Sequence, residues 1–407
     1  MGCRKIIRVL EVFAKQIEIS IPHHTTVRQW VIRNGCYNLQ LPLEKADDWV
    51  AIGDLTISLG KMKCLAILGV RMSNLEKKEN LILTHSDVEV LGLYPTEKSD
   101  GEFVHKALND SVARVGGKFL ATVIDRGSDI KKGTKSFQLE NKTSKILHDI
   151  AHKLSNLVER DLRDNVRWKA FIQELNTTRK RAFQTELAAI MPAKQREKAR
   201  FMNIGFMVNW PEKVLSAKAN GRLNSISEER FQDYLGWIVG FKTDLEEWCF
   251  VYQTVGMISE IVRTFGASME VYRYLKIFFE EASIDGEKLQ KFVEDALNIF
   301  LEEVLKLDEG QTLICSTEVL ESIFGKYKAI NEGVQGVTGN VLGICTFVGP
   351  EKDEGTVKKT MEKVSVKEGL KWIKDKVGTS MASLRRQFFN DSKETKIDKL
   401  SEVSSIA

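Results

Sequence analysis

Residues 51–72, AIGDLTISLGKMKCLAILGVRM, contain two apolar runs separated by a short turn that begins at Gly60. Apolar runs of this length, bounded by turn residues, predict β-strands. A third run, residues 81–94 (LILTHSDVEVLGLY), follows a polar loop around residues 74–80. This spacing predicts a meander of three antiparallel strands.

A helix and a fourth strand are predicted next. Residues 102–117, EFVHKALNDSVARVGG, have helical periodicity and end at two glycines, and residues 118–125, KFLATVID, form a short apolar run. Such a run suits a buried parallel strand. Three antiparallel strands, then a helix and parallel strands, predict an α/β ribonuclease H-like core with a mixed sheet. In that fold, acidic residues on the first and fourth strands lie close together at one end of the sheet.

Two aspartates occupy these strands. Asp54 lies inside the first predicted strand, and Asp125 ends the fourth. An aspartate inside a strand is disfavoured by propensity and costly to bury, so Asp54 requires a compensating partner. Asp125 alone is equally compatible with an ordinary turn. Two neighbouring carboxylates repel each other unless a divalent cation neutralises them, so the pair predicts a metal site.

A third carboxylate is available on a later helix. Residues 317–328, TEVLESIFGKYK, predict an amphipathic helix with one apolar stripe. Glu321 and Lys328 point in nearly the same direction, two turns apart. A solvated helix edge would explain this pair, but the strand aspartates need a third carboxylate, for which Glu321 is the candidate. Glu318, one turn earlier, and Asp129, just after the fourth strand, are rival ligands.

The N-terminal residues 1–44 predict a small helical unit. Its second helix would begin near Thr25, end at Gly35 and hold Arg28 and Arg33 on its outer face. Six basic residues against two acidic ones in residues 4–40 favour a helix-turn-helix that contacts phosphate. A three-helix bundle with scattered arginines would have a similar sequence.

Residues 131–310 show helical periodicity almost throughout and predict a large all-α insertion domain. The catalytic core would therefore comprise residues 45–130 and 311–350. Within the insertion, residues 179–200 carry a net charge of +5, which predicts a DNA-binding patch, although most such runs are solvated faces. The candidate contacts are Arg179, Lys180, Arg181, Arg196 and Arg200. Residues 351–407 predict short helices and then a disordered tail from about residue 390.

Composition limits the function classes. The formal net charge of +4 over 407 residues is too small to establish a nucleic-acid partner by itself. The six cysteines are scattered without a CxxC pair, which argues against a disulfide framework or a zinc site and fits reduced cytosolic thiols. No apolar run reaches about 18 residues, so we expect neither membrane insertion nor export.

Three blocks of the sequence resemble, in this order, a bacterial insertion-sequence transposase of the DDE type. The blocks are GDLTISLGKMKCLAILG at residues 53–69, VIDRGSD at 123–129 and ESIFGKYK at 321–328. In that superfamily the catalytic glutamate is followed seven residues later by lysine or arginine, as Glu321 is followed by Lys328. The resemblance implies a ribonuclease H-like catalytic core.

The spacing of the acidic residues adds a second resemblance. A gap of 196 residues separates Asp125 from Glu321, which implies an insertion domain before the Glu321 helix. Because this insertion is predicted to be helical, the arrangement is similar to the hAT superfamily. Asp149-Ile-Ala-His152 resembles the [Cys/Asp]-x-x-His motif of that superfamily, which would place His152 near the scissile phosphate.

The resemblance implies a two-metal phosphoryl-transfer site for Mg²⁺, for which Mn²⁺ could substitute. Asp54 would bridge both ions, Asp125 and Glu321 would each complete one side, and Lys328 would contact a backbone phosphate. We therefore expect a cytoplasmic, nucleoid-associated transposase that acts as a homo-oligomer on double-stranded DNA. It would cut the element ends and join the freed 3′-OH to target DNA. A nuclease that cuts without joining and a non-catalytic DNA-binding regulator remain alternatives.

Overall fold

Of the 407 residues, the computed structural model describes residues 2–57, 60–125, 127–192, 194, 201, 204–330 and 336–389. The chain divides into two compact units. Unit 1 comprises residues 1–147 and 317–407, and unit 2 comprises residues 148–316. The tail predicted from residue 390 lies outside the described residues.

Unit 1 contains a sheet and its flanking helices. The elements of its first segment are α1 (Cys3–Phe13), α2 (His24–Gln40), β1 (Trp49–Ile57), β2 (Lys63–Arg71), α3 (Met72–Leu75), β3 (Glu89–Thr96), α4 (Gly101–Val115), β4 (Phe119–Ile124), α5 (Ser128–Glu140) and β5 (Lys145–His148). Unit 2 contains α6 (Ile150–Leu162), α7 (Val166–Ala182), α8 (Gly205–Ala219), α9 (Glu228–Leu235), α10 (Lys242–Phe265), α11 (Met269–Glu281) and α12 (Glu287–Val304), with 3-10 helices at Glu186–Ile190 and Gly236–Phe241. Unit 1 resumes with α13 (Glu318–Ile330), a 3-10 helix at Gly339–Leu342, α14 (Gly343–Thr346), α15 (Glu354–Lys363) and α16 (Val366–Lys376).

The sheet has five strands in the order β3-β2-β1-β4-β5. β1 pairs antiparallel with β2 and parallel with β4, and β2 pairs antiparallel with β3. The prediction of an α/β protein whose mixed sheet has three antiparallel strands followed by a parallel one is therefore confirmed. The third strand begins at Glu89, which is later than the predicted residue 81.

The prediction of helix was wrong at residues 145–148, which form β5. This strand is only four residues long and its Leu147 is fully buried. A segment this short contains about one helical turn, so its apolar spacing cannot distinguish a strand from a helix. β5 therefore extends the sheet beyond the four strands identified from apolar runs, and the helical segment of unit 2 starts at Ile150.

One face of the sheet is covered by α4 and α5. The apolar core on this face contains Trp49 and Ala51 of β1, Leu108 of α4 and Phe137 of α5. α4 ends as predicted at paired glycines, with Gly116 in the left-handed region at φ 61°, where glycine is favoured because it has no Cβ. Since side chains alternate along a strand, the other face of β1 carries Asp54.

The predicted helix-turn-helix is not present as such. Residues 14–23 separate α1 from α2, whereas this motif uses a turn of about 3–4 residues. α2 also continues past Gly35 to Gln40, and a Cβ at Gly35 would lie 2.1 Å from the Leu342 carbonyl oxygen. The glycine therefore permits close packing rather than ending the helix, and α2 packs within unit 1 against α14, α15 and α16.

Unit 2 is built around aromatic side chains. Trp168 of α7 and Trp248 of α10 are buried and meet edge to face, with ring centroids 4.9 Å apart, a favourable geometry for aromatic pairs. Phe171 packs beside both rings. Within the described residues, no helix of either unit combines the length and the apolar character needed to cross a membrane.

Candidate active site

Asp54 and Asp125 lie side by side where the parallel pairing of β1 and β4 ends. The last paired residues of β1 and β4 are Gly53 and Ile124, and each aspartate is the next residue along the chain, Asp54 within β1 and Asp125 just after β4. Neighbouring strands are about 4.8 Å apart, so the two backbones are close at this point. Both aspartates are half-buried. Asp54 Oδ1 accepts a hydrogen bond of 2.6 Å from the Leu55 backbone N–H.

Both aspartates belong to the face of the sheet opposite α4 and α5. Leu55 packs against the core on the side of α4 and α5. Because neighbouring residues of a strand point to opposite faces, Asp54 points to the other face. On β2, Cys64 and Ala66 share the face of Asp54. Burial, and then neighbouring Cys345 of α14, raises the pKa of the Cys64 thiol. α14 also packs against α13, which in turn packs on β1.

Glu321 is carried by α13, which packs against both β1 and α14. The helix buries the predicted apolar stripe, which consists of Val319, Leu320, Ile323, Phe324 and Tyr327. Glu318, Glu321 and Lys328 are exposed on the rest of its surface. The sequence thus predicted which residues of this helix are buried, and the packing brings the glutamate-bearing helix onto the strand that carries Asp54.

The donor chemistry fits a hard divalent cation, because carboxylate oxygens are the ligands that Mg²⁺ prefers. Within the part of the chain that the structure describes, however, no three His, Cys, Asp or Glu side chains are close enough to hold a metal ion. Asp54 and Asp125 are brought together by strand register, and Glu321 is brought to the same strand by helix packing, but the full ligand set is not formed.

The Asp149–His152 motif forms the start of α6 in unit 2. The Asp149 side chain caps the helix by accepting a 3.0 Å hydrogen bond from the His152 backbone N–H. His152 Nδ1 also lies 3.3 Å from Asp149 Oδ1. The spacing of this motif therefore has a local structural explanation, because an aspartate at this position satisfies a backbone donor of the first helical turn.

Arg28 and Arg33 were predicted to lie on the outer face of α2, but both are half-buried. Arg28 Nε donates to Asn340 Oδ1 at 2.6 Å. Arg33 donates to the backbone carbonyls of Val364 and Met361. Both guanidinium groups therefore contact other parts of unit 1. The prediction that they lie on the outer face of α2 was wrong. The reason is that residues far along the chain cover this helix.

The basic patch of unit 2 is partly neutralised. Arg181 forms an ion pair with Asp233 at 2.6 Å and lies over the Tyr234 ring at 4.2 Å. Arg179 donates to the Pro192 carbonyl at 2.7 Å. Lys180 is exposed. Arg196 and Arg200 lie outside the described residues.

The sequence did not reveal a buried ion cluster in unit 2. The Lys153 and Glu303 side chains are each only 1% exposed, and Lys153 Nζ lies 2.8 Å from Glu303 Oε1. Glu303 also accepts a 2.9 Å hydrogen bond from the His148 backbone N–H and pairs with Lys306. Glu302, 63% exposed, is the other carboxylate on Lys153. The only sequence signal was a lysine on the apolar stripe of α6, which is too weak to identify a partner 150 residues away.

Comparison of the chain with protein-family models and with the sequences of characterised proteins finds no match.

Proposed function

We propose that this chain is a DDE-type DNA transposase with a ribonuclease H-like core. The observation that carries the proposal is the register of β1 and β4, which sets Asp54 and Asp125 side by side on one face of the sheet. The strand order, with β1 between an antiparallel and a parallel neighbour, supports this core. The packing of α13 on β1 supports Glu321 as the third carboxylate.

In this proposal Asp54, Asp125 and Glu321 would hold two Mg²⁺ ions. When bound, the ions would activate an attacking oxygen and stabilise the leaving oxygen of a DNA phosphodiester. Three carboxylates repel one another, so Glu321 would approach the aspartates only with divalent cations between them. Lys328, on the same helix as Glu321, would bind a backbone phosphate as a point charge.

Cleavage and joining can be measured together. The substrate is a plasmid carrying the DNA that flanks the gene, with a labelled duplex of the pre-cleaved end as donor, in Mg²⁺ or Mn²⁺. We expect cleavage and covalent joining of the labelled strand by the wild type. Asp54→Ala, Asp125→Ala and Glu321→Ala should abolish both reactions and leave DNA binding intact, whereas full activity of any of the three would contradict the proposal.

The same assay distinguishes the two alternatives. A metal-dependent nuclease would cut the plasmid and give no joined product with the pre-cleaved end. A DNA-binding regulator would give neither reaction with any metal, and its binding would weaken steeply as salt rises.

A further inference from the structure

Unit 1 contains a cavity of about 430 Å³ that the proposed catalytic residues do not line. Its volume lies within the range of small-molecule sites, about 300–1,000 Å³. The apolar part of the wall is formed by Leu41, Leu43, Leu75, Val90, Val348 and Pro350. Lys352 contributes the one basic side chain among the described lining residues.

The Lys352 amine is held in a fixed position. Nζ donates to the Asn34 side-chain oxygen and, at 2.7 Å, to Asn38 Oδ1. Asn38 is itself buried, and its Nδ2 donates to the carbonyls of Cys345 and Val348 at 2.7 and 3.3 Å. Because the amide nitrogen of Asn38 is occupied in this way, its oxygen must face Lys352.

The two hydrogen-bond acceptors around Lys352 Nζ match the two N–H donors of a neutral amine. An ammonium group has three N–H donors, whereas a neutral amine has two and a lone pair. Among the described residues, Asn34 and Asn38 supply the two hydrogen-bond acceptors of Nζ, which would leave the lone pair as the remaining direction. Burial lowers the pKa of Lys352 from 10.5 to about 8. Asp87, Glu89 and Glu351 also line the cavity and favour the ammonium, as does the Tyr37 ring, 5.7 Å from Nζ.

We propose that this cavity is a covalent capture site for small neutral aldehydes or ketones with an apolar body, and that Lys352 is its nucleophile. The Nζ lone pair forms a bond to the carbonyl carbon, and the amine protons pass to the carbonyl oxygen, which leaves as water. The product is a reversible imine, so the step needs neither an oxidant nor a reductant. The three lining carboxylates would disfavour anionic carbonyl compounds.

The test uses benzaldehyde as the probe and sodium cyanoborohydride to fix any imine, with peptide mass spectrometry of the full chain. At pH 7.5 about a quarter of an amine with a pKa near 8 is neutral, against about 0.1% for an ordinary lysine. Allowing for the weaker nucleophilicity of a weaker base, we expect Lys352 to be labelled at least about tenfold faster than exposed Lys180 or Lys328. The preference should disappear in urea, and the anionic probe 4-carboxybenzaldehyde should label Lys352 more slowly than benzaldehyde does.

Two variants complete the test. Lys352→Arg should lose this adduct. Asn34→Asp keeps the amine and the cavity but sets a carboxylate against Nζ, which favours the ammonium; labelling of Lys352 should fall by about tenfold or more. Labelling of Lys352 no faster than that of the exposed lysines, an equal preference in urea, or no effect of Asn34→Asp would overturn the proposal.

Discussion

Glu303 in unit 2 and Glu321 in unit 1 are both helical glutamates, but they have opposite environments. Glu303 is buried and contacts Lys153, Lys306 and the His148 backbone N–H. Glu321 is exposed on α13, which packs on the strand that carries Asp54. A buried carboxylate surrounded by cations stabilises the fold, whereas an exposed one on a helix that packs on β1 is accessible to a ligand. The same residue type therefore has a structural role in one unit and a proposed catalytic role in the other.

The largest expected effect on stability is at Glu303. Glu303→Ala removes a partner of Lys153 while the lysine stays buried, and breaking a buried pair in this way costs about 3–5 kcal/mol. Hydrogen exchange of unit 2 peptides should show the corresponding loss of protection. Glu302→Ala is the matched control, because Glu302 contacts the same lysine from an exposed position and should cost less than about 1 kcal/mol. Equal losses in the two variants would contradict the structural role of Glu303.

In unit 1, the corresponding prediction is that a bound metal ion stabilises the folded state. A ligand that binds only the folded state at about 100 times its Kd stabilises it by about 2.7 kcal/mol. We expect Mg²⁺ or Mn²⁺ to increase hydrogen-exchange protection of the β1 and β4 peptides, and Asp54→Asn to abolish the increase. Metal-dependent protection that survives in Asp54→Asn would place the ion elsewhere.

A smaller effect is expected at the helix cap of α6. Asp149→Ala removes the acceptor of the His152 backbone N–H, and the loss of such a cap costs about 1 kcal/mol. Asp149→Asn should preserve the cap and most of the stability. If Asp149→Asn is as destabilised in urea unfolding as Asp149→Ala, the carboxylate charge matters more than the capping hydrogen bond.

The smallest expected effect is the pH dependence of Glu303. Burial raises the pKa of this carboxyl, but Lys306 and Lys153 outweigh it and hold the pKa below the ordinary value of 4.5. The folded state therefore binds the proton less readily than the unfolded state does. The resulting stability is complete above the ordinary pKa and declines as pH falls through the lowered one. The difference in unfolding free energy between the wild type and Glu303→Gln should shrink on acidification below about pH 4.5. A difference that stays constant would contradict a lowered pKa of Glu303.

The sequence predicted those features that depend on local patterns. Apolar runs identified β1, β2 and β4, and the ribonuclease H-like order of these strands predicted that Asp54 and Asp125 are neighbours. β5 was missed because four residues carry too little periodicity. The environments of Arg33 and Lys352 were not predictable, since their partners, Val364 and Asn38, are more than 300 residues away along the chain.

We propose that Glu321, rather than its neighbour Glu318, completes the carboxylate set with Asp54 and Asp125. Both glutamates are exposed and lie one turn apart on α13, so the isosteric variants Glu321→Gln and Glu318→Gln are matched in size, charge change and burial. The decisive measurement is Mg²⁺-dependent cleavage of the flanking-DNA plasmid by the two variants. We predict that Glu321→Gln loses at least about 100-fold in rate and that Glu318→Gln retains wild-type activity. Full activity of Glu321→Gln would contradict the assignment of Glu321 as the third carboxylate.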